Sequence, residues 1–258
     1  MPAAGCCSVP PMIKPCAVIP VYNHQAAVTA VVSGVLAQQL ACIVVDDGST
    51  PACAAVLDGL AAATPSQLTL LRHPANRGKG AAVLTGIRHA AQGGFTHVLQ
   101  IDADGQHRVE DIAGFIAQAA THPQALVIGS PCFDDSVPGL RLWARYLTHA
   151  WVSINTLSRR IEDSMCGFRV YPLAPLLELD RQRKLGARMS FDIEVLVRLC
   201  WAGVEIINVP TKVSYPKDGI SHFRGGLDNL LISRLHATLF FGMLLRLPTL
   251  LARKWSVL

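Results

Sequence analysis

No apolar stretch in this chain reaches the ~18 residues that a membrane-spanning helix requires. A transmembrane anchor is therefore not predicted within it. No run of five or six basic residues occurs either, and the formal charge is only +5. That is too weak a footprint for nucleic acid as a partner, whereas anionic small molecules or an anionic lipid surface fit better. The eight cysteines, Cys6, Cys7, Cys16, Cys42, Cys53, Cys132, Cys166 and Cys200, show no Cys-x-x-Cys spacing and no paired histidines. This argues against a structural zinc and for reduced thiols packed as small apolar residues in a reducing compartment. The first fifteen residues hold a Cys-Cys pair and prolines but no basic segment followed by an apolar core, so they do not read as a signal peptide. Internal repeats and low-complexity linkers are missing too.

What is present is 258 residues, 51% of them hydrophobic, enough for one large α/β domain or two small ones. Apolar runs at 16–21, 41–45, 68–71, 98–101, 125–129 and 204–209 read as strands. Between them, 26–39, 81–91, 109–120, 137–160 and 191–201 have helical spacing, and 163–169 reads as a turn into a short strand. Strands alternating with helices of this length predict a mostly parallel sheet of βαβ units. The expected architecture is one α/β domain over 12–226, with 227–258 as a C-terminal amphipathic helical appendage.

The stretch Thr96 to Arg108 carries the most chemistry. Its apolar run stops on Asp102 and Asp104, followed by Gly105 and Gln106. In an open α/β sheet the C-terminal strand ends are where ligands sit. Hard divalent cations take oxygen ligands and keep substrate phosphates in their shell, so Asp-x-Asp with a nearby Gln suits Mg²⁺ or Mn²⁺ carrying a nucleoside diphosphate. A solvated turn punctuated by Asp104-Gly105 is the alternative on these residues alone. Two other strand ends, Tyr22-Asn23 and Asp46-Asp47, reach the same edge, and their convergence points to a nucleotide pocket. A nucleotidyltransferase would carry a glycine-rich loop after its first strand, and Ile19 to His24 contains no glycine.

In 227–258, apolar residues are flanked by Arg234, Arg246, Arg253, Lys254 and Trp255. That composition suits a helix lying in a membrane interface, or equally a core or oligomer helix.

Taken together, Ile19-Pro20-Val21-Tyr22-Asn23, Val44-Val45-Asp46-Asp47-Gly48-Ser49, Asn76-Arg77-Gly78-Lys79-Gly80, Asp102-Ala103-Asp104-Gly105-Gln106-His107, Gly167-Phe168-Arg169 and Phe191-Asp192-Ile193-Glu194 resemble family 2 glycosyltransferases of GT-A fold. Within that family the chain most resembles the dolichyl- and polyprenyl-phosphate sugar transferases. The resemblance implies that Pro20, Tyr22, Asn23, Asp46 and Asp47 bind the nucleoside. It further implies that Asn76, Arg77 and Lys79 close over the diphosphate, with Asp102 and Ala103 beside it, and that Asp102, Asp104 and Gln106 hold Mg²⁺ or Mn²⁺. Asp192 and Glu194, with Asp104, would be the catalytic carboxylates. Arg141, Arg145, Asp163, Arg169, His222 and Arg224 would line the acceptor side.

The implied reaction is an inverting transfer from a nucleotide-diphosphate sugar to a lipid-linked acceptor, peripheral on the cytoplasmic face of a membrane. Two departures bear on the acceptor. Relatives commonly carry Gly-Ser-Arg after the fifth strand, but here Gly129-Ser130 is followed by Pro131; the Gly-Phe turn is often preceded by serine, here by Cys166. Positive charge would then fall to Arg141 or Arg145. The competing readings keep the donor but give a hydroxyl acceptor on a lipid, glycan or other metabolite, or make the chain a non-catalytic nucleotide-sugar or partner-binding domain.

Overall fold

A computed structural model describes residues 12–133, 139–214 and 225–255. His222 and Arg224, expected on the acceptor side, lie outside these, as does the side chain of Arg141. Seven strands form one sheet in the order β3-β2-β1-β4-β6-β5-β7: β1 Pro15–Val21, β2 Ala41–Asp46, β3 Leu68–Arg72, β4 His97–Gln100, β5 Leu126–Phe133, β6 Arg169–Pro172 and β7 Ile206–Val213. All pairings are parallel except those of β6, which runs antiparallel between β4 and β5.

The central strands β1, β2, β4 and β6 are buried on both faces, as a parallel sheet requires, while the edge strands β3 and β7 are only partly buried. Along β1, Cys16 and Val18 face one core while Ala17, Ile19 and Val21 face the other. The helices α1 (Val28–Ala37), α2 (Pro51–Ala63) and α4 (Ile112–Thr121) cover the second face. The first face is covered by α3 (Lys79–Gln92), α5 (Gly139–Thr156), α6 (Leu173–Gln182) and α7 (Phe191–Ala202). The C-terminal helices α8 (Gly225–Leu244) and α9 (Leu247–Trp255) add Ile232, Leu239, Met243 and Leu250 to that same core.

The structure adds two helices, α2 and α6, that periodicity does not announce. In α2 only Cys53 and Leu57 are buried, too narrow a stripe to stand out in an alanine-rich segment. It also carries β5 and β7 four residues past their predicted ends, through Pro131 and Pro210. There the two strands pair in register, Pro131 opposite Thr211 and Pro210 opposite Ser130. β7 is the sheet edge, where a strand proline is tolerated. Among the described residues no single helix is long and apolar enough to cross a membrane; α8 and α9 pass that test only jointly, and are bent by 74°.

Candidate active site

The C-terminal end of β4 delivers Asp102 to the centre of the parallel edge. Lys79, the first residue of α3, reaches across to it: its ammonium lies 2.8 Å from Asp102 and 2.9 Å from Asp192, in the first turn of α7. Both Asp102 oxygens lie close to Lys79, but hydrogen-bond geometry is met only at Oδ2, and the buried Oδ1 keeps an unserved lone pair. Burial works against the ammonium, yet Asp102 and then Asp192 outweigh it and raise the Lys79 pKa well above the lysine range. Asp102 is held below the usual carboxylate range, since Lys79 and His107 overcome its desolvation.

Asp104 is in the opposite situation. Burial and then the charge of Asp102 push its pKa upwards, while its Oδ1 accepts the Gln106 backbone N–H at 3.0 Å. Asp102, Asp104 and Gln106 form a crowded hard-oxygen set in which Lys79 pairs with Asp102 while Asp104 is strained by burial and by its neighbour's charge. The residues therefore fit a divalent cation. Among the described residues no group of three His, Cys, Asp or Glu could hold a metal by itself, so phosphate oxygens would have to complete the shell. Gly167 closes the site from behind, where any Cβ would collide with the Asp102 carboxylate.

Behind Asp192 runs a buried polar chain that the motifs do not single out. Gln100 Nε2 donates to Asp192 Oδ1 at 3.0 Å, and the Tyr171 hydroxyl donates to Gln100 Oε1 at 3.3 Å. Gln100 is the one polar residue of an otherwise apolar strand end, and this was the only signal for it. Arg169, expected on the acceptor side, is instead fully buried. Its guanidinium donates to the carbonyls of Cys166, Asp192 and Ser164 at 2.7, 2.7 and 2.8 Å. It braces the Gly-Phe turn against the start of α7 and has no open face for an acceptor. Glu194 is likewise buried in internal contacts, pairing with Arg198 at 2.7 Å and accepting the Gly186 N–H at 2.8 Å. Of the two α7 carboxylates, only Asp192 belongs to the cluster.

The first two loops meet through their own side chains. Asp46 accepts Ser49 N–H and Arg72 Nε, at 2.9 and 2.7 Å. Asp47 lies 2.7 Å from His73 Nδ1 and accepts the backbone N–H groups of Arg77 and Gly78, at 2.9 and 2.7 Å. Both carboxylates are buried scaffold; Asp47 sets the Asn76–Lys79 loop in place. Gly78 has φ +102°, and a Cβ there would meet the Ala187 carbonyl at 2.5 Å. Asn23 Oδ1 accepts Thr50 N–H at 2.8 Å, and Pro20 is buried at the end of β1. Tyr22 and Asn76 are half-buried and Arg77 is exposed, so these three keep accessible surface.

On the other flank, Arg145 of α5 forms a two-pronged pair with Asp163, its Nη2 lying 2.9 Å from Oδ1, and His149 Nε2 stands 3.2 Å away. Although burial opposes it, these partners hold Asp163 far below the usual carboxylate range. The exposed face of α5 carries Trp143, Tyr146, Leu147, Trp151 and Ile154, and α8 and its end add Phe241, Leu244 and Leu245.

A doubly covered, mostly parallel sheet with Asp102, Asp104, Lys79 and Asp192 at its C-terminal edge is the architecture of GT-A glycosyltransferases. Glucosyl-3-phosphoglycerate synthase from Mycobacterium tuberculosis, solved with Mn²⁺ and UDP-glucose, superposes with a TM-score of 0.64 at 16% identity, over 90% of this chain and 79% of that one. The chain belongs to glycosyl transferase family 2, whose model matches residues 16–175. Polyprenol monophosphomannose synthase of Mycolicibacterium smegmatis is 28% identical, covering 84% of each chain. The undecaprenyl-phosphate mannosyltransferase of Micrococcus luteus is 26% identical over 72% of this chain and 76% of its own. The protein is a glycosyltransferase.

Proposed function

We propose that this enzyme moves a sugar, with inversion, from a nucleoside diphosphate to a phosphate group carried on a polyprenyl-type lipid at a membrane surface. The observation that carries this reading is the state of Asp192. A hydroxyl acceptor needs a general base, whereas a lipid phosphate is already anionic and needs none. Both oxygens of Asp192 are engaged, one by Lys79 and one by Gln100. That suits a positioning carboxylate better than a proton acceptor. The names of the sequence relatives point the same way.

In this reading Tyr22, Asn23 and the loop from Asn76 to Lys79 receive the nucleoside and diphosphate. Asp102, Asp104 and Gln106 would hold Mg²⁺ or Mn²⁺, which when bound neutralises charge on the departing diphosphate. Arg77, exposed on the loop that leads into Lys79, supplies a charge-assisted donor to the phosphates. With Pro131 in place of the usual arginine, positive charge for the acceptor comes from Arg145 of α5, already oriented by Asp163, with His149 beside it as a further polar group. Aromatic and aliphatic side chains exposed on α5 and α8 give the enzyme a face for the bilayer interface, and 227–258 serves as that anchoring segment.

The test is release of nucleoside diphosphate from a panel of nucleotide sugars with Mn²⁺ or Mg²⁺, with and without polyprenyl phosphate. Release that rises with the lipid phosphate and stops with chelator is expected. Metal-dependent transfer to hydroxyl acceptors that ignores the lipid phosphate would sink the proposed acceptor.

A further inference from the structure

Lys79 is unusual among the residues of the site in touching two functional carboxylates at once. Its ammonium stands within 2.9 Å of both Asp102 and Asp192, and it is itself mostly buried. A cation thus already sits against the carboxylate that closes β4, and it belongs to the chain. We propose that Lys79 is the free enzyme's own counter-cation at the metal site, so that a divalent cation binds together with the nucleoside diphosphate and not ahead of it. This rests on the reading of Asp102, Asp104 and Gln106 as the metal-holding set.

The argument is one of charge. With Lys79 in place, Asp102 and Asp192 share an internal partner, and Arg169 adds a second buried cation behind them. The charge left for a metal is then essentially that of Asp104, a single crowded carboxylate. A divalent ion arriving alone would stand close to a buried ammonium, where like charges repel strongly because little water screens them. A nucleoside diphosphate changes the balance by bringing its own negative charges. Lys79 can turn towards phosphate oxygens, and Asp102 is released to the metal. Metal and nucleotide then bind with positive coupling, each raising the affinity of the other by the same factor. Replacing Lys79 by an uncharged side chain of similar length removes the competitor and with it most of the coupling.

The experiment is titration of the full chain with Mn²⁺, following the resonance of free aqueous Mn²⁺, alone and with UDP or GDP. In the wild type, Mn²⁺ alone should bind weakly, and one of the diphosphates should tighten it by about tenfold or more. In Lys79→Met, Mn²⁺ alone should bind about tenfold tighter than in the wild type, and the enhancement by diphosphate should shrink. Lys79→Arg, which keeps the charge, should behave like the wild type. Circular dichroism reports whether Lys79→Met folds. Should it not, the double change Lys79→Met with Asp192→Asn, which leaves one fewer unpaired carboxylate, is compared with Asp192→Asn alone and should show the same tightening. Retention of Mn²⁺ by wild type with diphosphate, but unchanged or weaker Mn²⁺ binding once Lys79 is replaced, overturns this inference and leaves the transferase site standing. Mn²⁺ that neither diphosphate retains in the wild type overturns both.

Discussion

Arg169 illustrates how a residue can stand beside a reaction without facing it. Its guanidinium donates to three backbone carbonyls, one of them that of Asp192, and no part of the side chain is exposed. Arg169→Met should strand those carbonyls in the core and lower stability by roughly 3 kcal/mol, read as a shift of the urea midpoint. A variant as stable as the wild type but unable to use acceptor would return Arg169 to the acceptor side. At Asp104 the expectation is reversed, because its carboxyl already suffers from burial and from Asp102. Asp104→Ala should leave the melting temperature unchanged or higher while turnover falls by about a hundredfold or more. Turnover that survives would remove it from the metal set. The sequence made Asp102, Asp104, Lys79 and Asp192 legible because charged residues at strand and helix ends stand out against apolar runs. Gln100, Tyr171 and His149 were not legible, since each is a single polar residue whose partner lies far along the chain.

Helix α5 presents two faces with different work. One carries Arg145 and His149 to Asp163, and the other leaves Trp143, Tyr146 and Leu147 in solvent. Replacing those three by serine should cost less than ~1 kcal/mol of stability. Sedimentation with vesicles containing anionic lipid should nevertheless drop by about tenfold if this face meets the bilayer. Undiminished sedimentation would move the contact elsewhere. Where α5 meets α8, His236 is buried against Asn155 with its Nε2 lacking a hydrogen-bond partner, and burial lowers its pKa to about 4. The unfolded chain takes up that proton near the ordinary value of about 6.5, so between these values it binds more protons than the folded one. The contribution is complete above about pH 6.5 and is lost as pH falls towards 4, up to about 3 kcal/mol. Urea midpoints at pH 7.5 and 4.5 should therefore diverge more in the wild type than in His236→Gln. An equal divergence would clear His236. The length of β7 was hidden from sequence reading for a different reason: Pro210 reads as a strand end unless the strand is known to lie at the sheet edge.

Across the whole molecule, alternation of apolar runs and helical spacing was enough to give the class of fold, because the central strands are buried apolar runs separated by helices. Strand order was not contained in that pattern. Nothing in Arg169 to Pro172 says that this four-residue strand sits between β4 and β5 and runs against both. Its place carries a mechanical consequence. β4 and β5 are joined only through β6, so the two parts of the sheet, β3-β2-β1-β4 and β5-β7, are held together by one short strand. Arg169 and Tyr171 ride on that strand. The polar chain leading to Asp192 therefore hangs on the same few residues that tie the sheet into one, and a chain in which the two parts came apart would be an idle one.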